Sequence, residues 1–129
     1  MHVLRQIHRA LGPGGLLLDV HPLGDDFPVL ADGRGIGFVD TRKFRGILEE
    51  MNNCVRQVVA EGLFQELRTL RRHVVERYDT ASEALEESDS WDNLRLPAPV
   101  RRRLQQTKAT PIEFIDTVRY RLLTKRGRG

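Results

Sequence analysis

Cysteine is nearly missing from this 129-residue chain, with Cys54 standing alone. One thiol can close no internal disulfide and cannot build a cysteine-based zinc site. The expected compartment is the cytoplasm, where thiols stay reduced. Long apolar runs are missing too: stretches such as Leu16 to Leu18 fall far short of the roughly 20 residues a bilayer-spanning helix needs. No basic n-region followed by an apolar h-region opens the chain, so neither secretion nor a membrane partner is expected. Aromatic residues make up only 6%, which leaves little on which nucleic-acid bases could stack. His2, His8, His21 and His73 sit on four separate segments without paired-ligand spacing, so no metal is expected.

What is present belongs to a folded protein. Hydrophobic residues at 40% and charged residues at 30% match a globular composition, and the length suits one domain with a real core. The net charge of +3 is uneven. Residues 1–64 hold 7 Lys/Arg against 8 Asp/Glu, and residues 65–129 hold 14 against 10, leaving −1 and +4. A basic second half, with Arg101-Arg102-Arg103, fits a small nucleic-acid-binding module as an alternative function. With so few aromatics a solvated helix face is favoured, and nucleic acid is not the expected partner.

Periodicity divides the chain. Val3, Leu4, Ile7 and Leu11 share one helical face, predicting a helix over 2–11. Gly12-Pro13-Gly14-Gly15 stops it, and Leu16 to Val20 follows as a strand whose lack of alternation predicts burial on both faces. His21-Pro22 ends that strand. Asp32-Gly33-Arg34-Gly35, between Phe27–Ala31 and Ile36–Val39, predicts a small hairpin. After the N-cap candidates Asp40-Thr41, Phe44, Ile47, Leu48, Met51, Val55, Val58, Val59 and Leu63 form the longest helical stripe. Glu66 to Tyr78 reads as extended. Thr80 to Glu83 fits a capping box for a short acidic helix. Trp91 to Pro99 reads as a loop anchored by its tryptophan, Val100 to Gln106 as a helical turn or two, and Ile115 to Lys125 as a strand alternating around Val118, Tyr120 and Leu122. Residues 125–129 are expected to fray.

The stretch Arg9-Ala10-Leu11-Gly12-Pro13-Gly14-Gly15-Leu16-Leu17-Leu18 resembles the approach to the fifth strand of class I S-adenosylmethionine-dependent methyltransferases. Downstream, Val58 to Phe64 resembles the end of that family's fifth helix. Tyr78 to Leu85 resembles the exit from its sixth strand, and Trp91, Leu96-Pro97 and Val118 to Leu122 resemble the region of its seventh. The resemblance covers nearly the whole chain. It implies an α/β fold, the C-terminal half of a Rossmann-like sheet, with one parallel-type strand plus an antiparallel strand pair flanked by helices. The family's glycine-rich cofactor loop has no counterpart: Gly33-Arg34-Gly35-Ile36-Gly37 follows no buried parallel strand and opens no helix. The expectation is therefore a single truncated methyltransferase-like domain over 1–129. It has no cofactor or catalytic residue of its own, and S-adenosylmethionine would enter only with a complementary half.

Ligands of such sheets sit beyond the carboxyl ends of the strands. That makes Asp19 and His21 the substrate-side candidates, the imidazole being able to exchange protons near neutral pH. In the family's sheet the fifth strand lies between the fourth and the seventh. With the fourth missing, the Leu16–Val20 strand would show a bare edge, and a homodimer through that edge is the expected partner.

Overall fold

A computed structural model describes residues 2–126 as an α/β chain of four helices and five strands. In order these are α1 (His2–Ala10), β1 (Leu16–Pro22), β2 (Phe27–Ala31), β3 (Arg34–Val39), α2 (Arg42–Ala60), β4 (Phe64–Tyr78), α3 (Ala81–Asp89), α4 (Ala98–Gln106) and β5 (Ile112–Lys125). Strand β5 pairs with β1, β2 and β4, and β3 pairs with β2. The β1–β5, β2–β3 and β2–β5 registers are antiparallel. The β4–β5 pairing has the same sense, because Arg77 meets Glu113 while His73 meets Thr117, one strand rising as the other falls. The expected parallel-type character of β1 thus finds no parallel neighbour among the described residues. None of their helices is long and apolar enough to cross a membrane.

The chain divides into two compact units, with α2, β4 and β5 each contributing to both. The first comprises the described parts of residues 1–23, 47–72 and 118–129. Here β1 runs against β5 from Leu16 opposite Thr124 to Pro22 opposite Val118. Val55, Val58, Phe64 and Leu123 form its core, with Leu4, Leu11, Leu17, Val59 and Leu63 packed around them. The end of β5 is fastened: the Lys125 N–H donates to the Gly15 carbonyl at 2.8 Å and the Arg126 N–H to that of Leu63 at 2.7 Å. Lys125 and Arg126 are therefore held where fraying was expected, and residues 127–129 lie outside the described residues.

Two side-chain expectations change in this unit. Strand β1 is not buried on both faces, for Leu16, Leu18 and Val20 are exposed while Leu17, Asp19 and His21 turn inward. Along this unit's part of β5 the buried residues are Arg121 and Leu123, whereas Val118, Tyr120 and Leu122 are only half-buried. Alternation correctly marked a strand, but here the apolar set is the less covered one.

The second unit comprises residues 24–46 and 73–117. Its hairpin turns at Asp32 and Gly33, whose φ values of 51° and 76° are those of the two-residue turn matching strand twist. Phe27, Val29 and Ala31 of β2 pack with Ile112 and Phe114 of β5, Ala84 of α3, and Val100 and Leu104 of α4. Trp91 rests edge-on against Phe114, ring centres 5.4 Å apart, and so anchors its loop as expected. Helix α3 starts as its sequence says. Thr80 Oγ1 accepts from the Glu83 N–H at 3.2 Å, while the Glu83 carboxylate reaches back to the Asp79 N–H. Thr41 is buried, its hydroxyl donating to the Gly24 carbonyl at 2.6 Å and its N–H to Asp26 at 2.9 Å.

Candidate functional site

Asp19 and His21 are two residues apart on β1, so the alternation of a strand puts both on one face. That face is the one carrying Leu17 into the first unit's core. Their partners across the ladder are Arg121 and Arg119. The result is a polar cluster in an otherwise apolar setting. Asp19 Oδ2 accepts from Arg121 Nε at 3.1 Å. Asn52, supplied by α2, accepts at its Oδ1 from both Arg121 and Arg119, each at 2.7 Å. His21 Nδ1 lies 2.6 Å from Asp19 Oδ1 but off the hydrogen-bond direction, and it finds no hydrogen-bond partner among the described residues.

Charge in the cluster does not cancel. Two guanidiniums face one carboxylate and a neutral amide. Burial, and then the nearby Arg121, hold the Arg119 guanidinium below its ordinary pKa, with Arg71 and Arg56 adding repulsion and Asp19 opposing them. Arg119 Nε is buried without a hydrogen-bond partner among the described residues. Such an arrangement favours an added anion or a nearby carboxylate.

Beside the cluster runs a groove of about 570 Å³, within the range of small-molecule pockets. Helix α1 gives it Val3, Leu4 and Ile7, β1 gives Leu17 to His21, and α2 gives Met51, Cys54 and Val55. Asp19 and His21 are its ionisable wall. Cys54 is half-buried there, as a packed thiol would be.

The other flagged residues have structural work. His8 is buried, edge-on to Phe64 and against the Arg126 carbonyl, and His73 meets the Thr117 hydroxyl. No group of three His, Cys, Asp or Glu that could hold a metal occurs among the described residues. Arg101 pairs with Asp89 at 2.8 Å and Arg103 donates to the Ile36 carbonyl at 2.6 Å, so two of the three arginines in that run are engaged. Sequence reasoning missed Asn52, Arg119 and Arg121. The β1–β5 register would have pointed to the two arginines, but alternation alone does not fix a register, and the packing of α2 that brings Asn52 to them is not a local property of the chain.

No family model matches the chain, and neither a curated protein nor a solved structure matches it.

Proposed function

We propose that this chain is a methyltransferase-like protein without a cofactor-binding half of its own, acting through self-association or partner binding and not by catalysis alone. One observation carries the reading: β1, the strand with the Pro-Gly-Gly approach, has β5 on one side and no strand on the other among the described residues. In the methyltransferase sheet the equivalent strand pairs with the seventh and the fourth. On this reading β5 would take the place of the seventh, and the place of the fourth would be open. The reading is also supported by Ile47 and Met51, which α2 leaves exposed on its apolar stripe. Titrating S-adenosylmethionine into the chain in a calorimeter should give no binding heat even at millimolar ligand. Saturable binding would overturn the reading.

A second reading is favoured by the groove. Its lining includes Asp19 and His21, at the carboxyl end of β1, which in a methyltransferase-like sheet would be the ligand side. In that case the chain is the C-terminal portion of an active S-adenosylmethionine-dependent methyltransferase whose cofactor half is supplied separately. His21 and Asp19 would then face the substrate. Methyl transfer appearing only when such a half is added, and lost in His21→Ala, separates this reading from the first.

A further inference from the structure

The unpartnered side of β1 carries enough geometry to say what would cover it. Directly opposed residues of an antiparallel ladder alternate between exchanging both backbone hydrogen bonds and exchanging none. Lys125 N–H donates to the Gly15 carbonyl, and the register sets these two opposite each other one step beyond Leu16 and Thr124. Residues 15, 17, 19 and 21 therefore turn their N–H and C=O groups toward β5. Leu16, Leu18 and Val20 turn theirs outward. Pro22, which has no N–H, falls on the outward side, the side where a strand tolerates proline.

We propose that this edge docks a second copy of the chain, joining β1 to β1 antiparallel about a two-fold axis at Leu18. The inference rests on the self-association reading above and gives it a register. Leu18 then faces the partner's Leu18, and Leu16 faces the partner's Val20. All three outward residues exchange both of their bonds, and every opposed pair on the open face is aliphatic. Competing registers do worse. Centring on Asp19 opposes two carboxylates in a close, non-bonded pair. Centring on Leu17 engages only Leu16 and Leu18. Pairing an outward residue with an inward one forms no ladder.

Contrast within the same unit says why this edge and not another. The first unit's part of β4 is also exposed, but it carries Glu66, Arg68, Arg71 and Arg72, the charges that protect edges from pairing. Strand β1 has no charged side chain on its open face, which holds Leu16 at 57%, Leu18 at 58% and Val20 at 45% exposure. Val3, Ile47 and Met51 are exposed nearby on the same unit's helices. Together these six leave on the order of 500 Å² of apolar surface per copy. Two such patches give about 1,000 Å², the lower bound for a specific interface.

Sedimentation equilibrium of the chain at micromolar concentration should return twice the mass of one chain. Leu18→Lys sets two ammonium groups face to face and should weaken the association by about a hundredfold or more, without unfolding the chain, since the side chain is exposed. Register is read by cross-linking in a Cys54→Ala background. Leu18→Cys should oxidise to a covalent dimer, because opposed residues in a bonded pair stand about 5.5 Å apart. Leu16→Cys alone should not, and a mixture of Leu16→Cys with Val20→Cys should. A chain that stays monomeric, or a Leu16→Cys chain that cross-links as readily as Leu18→Cys, overturns the proposal. Calorimetry with S-adenosylmethionine on the same sample reports on the underlying reading whatever the mass.

Discussion

At the scale of single residues the chain concentrates its electrostatics in Arg121, which is 6% exposed and held by Asp19 and Asn52. A buried ion pair contributes little over well-packed apolar groups, but removing one partner strands the other. Arg121→Ala should therefore cost about 3 kcal/mol, measured by urea unfolding. Removing Asp19 as well should restore part of that loss. Asp40 gives a second residue-scale expectation. The Arg42 side chain and N–H hold its carboxyl down to about 2. A depressed carboxylate contributes stability above its ordinary pKa and loses it as pH falls through the folded value, here near pH 2. NMR titration should place Asp40 near 2, and Arg42→Ala should move it back toward 3.8. Asp19 and His21 were legible from their place at a strand end. Arg119, Arg121 and Asn52 were not, because they lie 67 to 102 residues from their hydrogen-bond partners, and a sequence does not state register.

Elements were easier to read than faces. Each expected helix and strand has a counterpart, since period 2 and period 3.6 are local properties. What escaped is which set of side chains gets covered. Leu122 and Leu123 are neighbours of the same type, yet Leu123 is fully buried and Leu122 is not. On β1 the leucines divide likewise, Leu17 inside and Leu18 outside. Leu123→Ala should cost about 3 kcal/mol, and Leu18→Ala less than about 0.5 kcal/mol in the isolated chain. Comparable losses from both would contradict the assignment of faces. The hairpin offers a sharper case. A Cβ at Gly37 would stand 2.3 Å from Val100 Cγ2, and the φ of +150° suits glycine. Gly37→Ala should destabilise by about 2 kcal/mol through overpacking and strain, visible as a lower thermal midpoint.

For the whole molecule, the sheet offers unlike borders. Strand β3 is short and glycine-containing, β4 is charged, and β1 is aliphatic on its outer face. That difference decides what kind of assembly is open to the chain. One aliphatic border per copy, used isologously, closes on itself and leaves nothing for a third copy to join. The observed mass should therefore reach a plateau as concentration rises.

The parity of β1 also writes a pattern that isotope exchange can read without altering a single residue. Amides aimed at β5 are locked in a ladder, whereas those of Leu16, Leu18 and Val20 look outward. In dilute deuterium oxide every second amide along this strand should exchange early, its neighbours lagging behind. Concentrating the sample should slow the early three and leave the late ones unchanged. An alternation that fades with concentration would time the closing of the border, residue by residue.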